Sequence, residues 1–119
     1  MHIEEFRDYC LAKPMVTEET PFGDDTLVYK VGGKIFALCS ISDYSRGINL
    51  KCDPVKAIEL RERYTQVKPG YHMSKKHWNT VLPEAGLSNE LLQQWLDDSY
   101  TLVSSRLTKA QKQILGLKV

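Results

Sequence analysis

The densest mixture of cations and rings in the 119-residue chain falls at residues 68–78. Lys68, Lys75 and Lys76 are interleaved there with Tyr71, His72, His77 and Trp78. Cations contact phosphates and aromatic rings stack on bases or sugars, so this mixture suits a polyanionic ligand. The plain alternative is packing. A lone Trp in a strand usually buries a face, and lysines are mostly solvated in any case.

Other chemistries lack their residue patterns. Gly32-Gly33 sits between two strand-like runs, not ahead of a helix, and lacks the spacing of a phosphate-cradling loop. It reads as a hairpin turn. His72 and His77 are five apart, a spacing that does not place both on one face. A metal would need a third ligand such as Cys52 or Asp53, so no metal or cofactor is expected. Asp97-Asp98-Ser99 could be combined with a histidine as a hydrolase triad, but no G-x-S-x-G elbow exists. Ser99 instead falls on the apolar stripe of a helix. The acid pairs Glu18-Glu19 and Asp24-Asp25 read as solvated charge. Cys10, Cys39 and Cys52 form no C-x-x-C pair and read as reduced, small apolar residues. No catalytic residue is expected, and hence no enzyme.

The elements that must position residues 68–78 follow from periodicity. Apolar spacing predicts a helix over 2–12, stopped by Lys13-Pro14. Strands are expected at 16–22, 26–31 and 34–41, the last two joined by Gly32-Gly33. Ile48, Leu50 and Cys52 alternate with Asn49 and Lys51 as a further strand. Asp53-Pro54 pairs an N-cap with Pro at the first helical position, opening a helix to about residue 64. That helix would bury some of Val55, Ala57, Ile58, Leu60 and Tyr64. Residues 68–70 read as a turn and 76–82 as a strand with Trp78, Thr80 and Leu82 on one face. A final helix from Ser88 or Asn89 to about 107 carries the stripe Leu92, Trp95, Leu96, Ser99, Leu102, Val103 and Leu107. The class expected is α+β: a two-layer sandwich, an antiparallel sheet with helices packed on one face.

Charge is uneven along the chain. Formal net charge is +1, yet residues 1–60 sum to −3 and residues 61–119 to +4. Five of the cations fall between Arg61 and His77 against the single acid Glu62, and Arg106, Lys109, Lys112 and Lys118 meet no acid. Clustering of this kind makes a local positive face on a nearly neutral protein. The longest run without Asp, Glu, Lys or Arg is the eight residues 35–42, far short of the roughly 20 a spanning helix needs. Glu4, Glu5 and Asp8 are wrong for a secretory signal. A cytoplasmic, monomeric single domain is expected.

Several segments together resemble the MmcQ/YjbR family of small bacterial proteins. They are DTLVYKVGGKIFAL at 25–38, NLKCDP at 49–54, LRERY at 60–64, PGYHMSKKHW at 69–78 and DSYTLV at 98–103. Within them, the pattern Gly-Tyr-His-x-x-Lys-x-His-Trp at 70–78 is the most specific. The resemblance implies one domain over 1–107, followed by a basic tail at 108–119. It also implies a two-layer fold likened to the frataxin/CyaY-like and secretion-chaperone-like arrangements, and a DNA-binding role. Fold likeness does not itself carry function. An iron-binding acidic ridge is not expected, because Glu4, Glu5 and Asp8 on the first helix are offset by Arg7 and Lys13. If DNA is the partner, Arg46, Lys51, Arg61, Arg63, Lys68, Lys75 and Lys76 would meet phosphates, with His72 and Trp78 close by. The alternative is a protein- or peptide-binding adaptor using the sheet face or an edge strand.

Overall fold

The computed structural model describes residues 1–71, 73–114 and 116. Helix α1 (Ile3–Leu11) leads into β1 (Val16–Glu19), β2 (Thr26–Val31) and β3 (Lys34–Ser40). After a 3-10 turn at Tyr44–Arg46 come β4 (Ile48–Lys51), α2 (Pro54–Arg63), β5 (Val67–Pro69) and β6 (Trp78–Val81). Helices α3 (Asn89–Ser104) and α4 (Lys109–Ile114) close the chain. The strands form one antiparallel sheet in the order β1-β2-β3-β4-β6-β5. Gly32 and Gly33 turn the β2–β3 corner at φ +56° and +83°, the left-handed pair that a type I′ loop requires.

Register separates the two sheet faces. Leu27, Tyr29, Val31, Ala37, Cys39, Ile48, Leu50 and Val81 point to the helices and join Phe6, Leu92, Trp95, Leu96 and Val103 in the core. Ser99, fully buried on α3, is the closest polar link between the layers. Its hydroxyl donates to the Phe36 carbonyl at 2.6 Å and accepts from the Lys51 backbone N–H at 2.9 Å. Strands β3 and β4 pair directly as far as Ala37 and Leu50; the hydroxyl bridges the next register position. A small residue on the apolar stripe therefore permits close packing and also joins two strands.

The two-layer α+β class expected from the sequence is observed, with local differences. Residues 67–69 form an edge strand, not a turn; Pro69 is tolerated there because an edge needs no N–H on its outer side. Strand β6 begins at Trp78, since residues 74–77 form a turn in which the Ser74 carbonyl accepts from both His77 and Trp78. On α2 only Ala57 is fully buried, whereas Val55 and Ile58 are 66% and 50% exposed. That helix covers the sheet's margin at β5 and β6, so only a narrow stripe of it is covered. Part of the basic tail is helical, as α4, and its Gln111 amide donates to the Gly32 carbonyl.

Candidate functional site

The residues singled out by sequence are distributed over three places. Lys51 and Trp78 are cross-strand partners at one end of β4 and β6, on the face away from the helices. The Lys51 ammonium lies 6.0 Å from the Trp78 ring centroid, within cation–π range. Trp78 is only 9% exposed, so it supports Lys51 and does not offer a free stacking surface. Lys68 occupies the same face on edge strand β5, opposite Thr80, whose hydroxyl donates to Asn49 at 2.6 Å.

The loop between β5 and β6 closes over this end through its own backbone. Gly70 donates to the Trp78 carbonyl, and the Lys75 ammonium donates to the Gly70 carbonyl at 3.0 Å. Gly70 has no room for a side chain: a Cβ there would meet Trp78 Cβ at 2.8 Å and the Trp78 carbonyl at 2.9 Å. The Lys75 ammonium is thus bonded within the loop, and both Lys75 and Lys76 are exposed. His72 lies outside the described residues.

Arg61 and Arg63 belong to the helix side. Arg61 donates to the Lys75 carbonyl at 2.8 Å and to Asn79 Oδ1 at 3.3 Å, and so ties α2 to the loop. Arg63 lies over the Tyr64 ring. Arg46 ends the 3-10 turn that precedes β4, whereas Lys51 ends that strand. The structure does not bring it to the others.

Two cations that the sequence did not single out as site residues complete the cluster. Lys34, at the Gly32-Gly33 corner, and Arg106, just beyond α3, both act on Lys51. Its ammonium is held below the ordinary lysine value first by desolvation, then by repulsion from Arg106 and Lys34. Strand pairing and the packing of α3 on the sheet bring these three into interaction, because 34, 51 and 106 are remote in the chain. Among the described residues, the ion pairs are Arg7–Glu18, Lys13–Asp97 and Lys30–Glu19, all on the α1, β1 and β2 side. None involves Lys34, Lys51, Lys68, Lys76 or Arg106.

Nothing in this geometry assembles a metal centre: among the described residues no three His, Cys, Asp or Glu side chains come together. Cys10 and Cys39 are buried, and burial raises both thiols, that of Cys39 to about 12. Glu18 and Asp25 are held below the ordinary carboxylate range, the first by Arg7 and Tyr29, the second by Ser40 and Ser42. The acid pairs are thus partly bonded, not merely solvated. Among the described residues, no helix is long and apolar enough to cross a membrane.

Sheet, helices and charge define a small α+β domain with one cationic sheet end. The chain belongs to the YjbR family, whose description matches residues 11–102. It is 42% identical over 106 residues to the uncharacterized protein YbdF of Escherichia coli O157:H7, covering 89% of this chain and 87% of that one. Identity to the uncharacterized protein YjbR of Escherichia coli K12 is 28% over 115 residues, 97% of this chain and 98% of the relative. The crystal structure of Deinococcus radiodurans protein DR2400 matches with a TM-score of 0.90 at 38% identity, covering 98% of this chain and 88% of that one. A Pseudomonas syringae crystal structure matches with a TM-score of 0.73 at 28% identity, covering 87% of this chain and 99% of that one.

Proposed function

We propose that this YjbR-family protein is a non-enzymatic DNA-binding module that holds the phosphate backbone at the cationic sheet end. The observation that carries the reading is the convergence of Lys34, Lys51 and Arg106, three cations from separate elements without an ion pair among the described residues. Repulsion from Arg106 and Lys34 adds to desolvation in disfavouring the charged Lys51, and a polyanion relieves it. Lys76 and Lys68 extend the same positive margin.

Phosphate contacts fix position and carry no direct base information. Neither α2 nor α3 presents a uniformly basic face for groove reading: α2 exposes Val55, Ile58, Glu59 and Glu62 beside its cations, and α3 presents Asp97 and Asp98. Binding to unrelated duplexes should therefore be nearly equal, and it should weaken steeply with salt as counterions are released. The adaptor alternative is less well supported. Edge β1 carries Glu18 and Glu19 and edge β5 carries Lys68 and Pro69, features that discourage strand addition.

The test is fluorescence anisotropy of two unrelated labelled duplexes across a salt series. Lys51→Ala and Arg106→Ala should each reduce the salt slope by about 0.9 if each neutralises one phosphate. A wild-type protein that binds neither duplex at low salt removes the reading.

A further inference from the structure

On the helix side of the sheet, α2 and α3 diverge and leave a cleft of about 390 Å³, within the size range of small-molecule sites. Its apolar surfaces come from Leu50, Leu60, Val81, Trp95 and Leu102. Two opposite charges stand on its facing walls, Lys56 on α2 and Asp98 on α3. Both are exposed, and the two form no ion pair with each other. Of the other charged groups beside the cleft, Lys51 holds its ammonium toward the Trp78 ring on the far face of the sheet, and two more are engaged. Asp53 caps α2 by accepting from the Val55 and Lys56 N–H groups, and Arg61 is bonded to Lys75 and Asn79. Among the described residues, Asp98 accepts only the Gln94 side-chain amide. Trp95 is just 6% exposed overall, while its indole N–H, donated to no described residue, is open to solvent. It is an accessible donor on a residue that lines the cleft.

We propose that this cleft binds a free α-amino acid with a large apolar side chain. The apolar body fills the space between Trp95, Leu50 and Leu102. The ligand's carboxylate meets Lys56, its ammonium meets Asp98, and the indole N–H adds a donor for a ligand oxygen. A ligand with only one of the two charges leaves the opposite wall unmatched. An apolar body alone forgoes both charge-assisted contacts. Lys51 borders both the cleft and the cationic sheet end, but Trp78 does not line the cleft, so only one of the two tryptophans reports on it.

That difference supplies an internal control. The full chain, labelled with nitrogen-15, is titrated with L-tryptophan, tryptamine and indole-3-propionate while both protein indole N–H signals are followed by NMR. L-Tryptophan should shift the Trp95 signal saturably, leave that of Trp78 in place, and bind about tenfold more tightly than either singly charged analogue. Lys56→Gln should bring L-tryptophan down to the level of tryptamine. Asp98→Asn should bring it down to the level of indole-3-propionate. Thr101→Phe, at an exposed position on the cleft wall, should block all three ligands with an unchanged thermal midpoint. Equal affinities for the three compounds, no saturable Trp95 shift, or a shift that persists in Thr101→Phe would each overturn the proposal.

Discussion

At the scale of single residues, Ser99 and Lys51 meet through one hydrogen bond and do different work. The Ser99 hydroxyl satisfies a carbonyl on β3 and an N–H on β4 from a fully buried position. Ser99→Ala keeps the volume nearly the same and removes both bonds. It should cost about 1–3 kcal/mol in chemical denaturation, the penalty for buried polar groups left without partners. A loss near zero would show that the strands close onto each other without it. Lys51 titrates below the ordinary lysine value of 10.5. A depressed lysine binds fewer protons folded than unfolded, so its contribution to stability rises as pH climbs through its folded pKa toward 10.5. Phosphate binding has the opposite linkage. It favours the protonated lysine, so DNA binding should take up a proton in that alkaline window. Affinity should therefore fall with pH there, and Lys51→Gln should flatten the fall.

Elements were legible where their signal was local. The Gly-Gly corner, the Asp53-Pro54 helix start and the amphipathic stripe of α3 each state their structure within a few residues. All three appear where periodicity and capping put them, with Asp53 accepting from Val55 and Lys56 and Ser88 from Leu91. Strand β5 was not legible, because three residues ending in Pro69 carry no alternation and gain strand geometry only by pairing with β6. The exposure of Val55 and Ile58 was equally hidden, since helical periodicity says nothing about how wide a face a neighbour covers. Trp95 tests the packing between these elements. Its ring meets that of Tyr64 edge-on at 5.2 Å, and Trp95→Ala should cost about 3–5 kcal/mol. A loss below about 1 kcal/mol would contradict its core role. Between α1 and the sheet, Glu18 joins Arg7 and Tyr29 at 2.6–2.9 Å. Its carboxyl is depressed in the fold, first by the Arg7 hydrogen bond. The stabilisation is therefore present above the ordinary carboxylate pKa and lost as pH falls through the folded value. Glu18→Gln should lower the thermal midpoint at neutral pH and make it less steep between pH 5 and pH 2, the range of about five to two over which such carboxylates protonate.

The whole molecule decides which charges act together, and this is where sequence was least informative. Residues 68–78 drew attention for their density of cations. The fold divides and extends that set: the Lys75 ammonium is bonded to Gly70, Lys76 is exposed without an ion pair among the described residues, and Arg61, outside the set, ties α2 to the loop. It recruits Lys34 and Arg106 from 17 residues before Lys51 and 55 residues after it. Arg46, close to Lys51 in sequence, lies in the 3-10 turn before β4, beyond that strand's opposite end. Local composition located the neighbourhood of the cationic end, while strand pairing and helix packing selected its members.

That geometry gives the most direct measurement of the central claim. Arg106 and Arg46 are both exposed, and Arg→Glu changes net charge equally at either position. Duplex DNA affinity is measured for Arg106→Glu and Arg46→Glu at an ionic strength of about 0.1 M, where screening limits each charge to roughly 10 Å. Arg106→Glu should weaken binding by about tenfold or more and Arg46→Glu by less than about twofold, with thermal midpoints unchanged. Equal losses from the two variants would mean that net charge, not the convergence of Lys34, Lys51 and Arg106, governs the interaction, and would contradict the account.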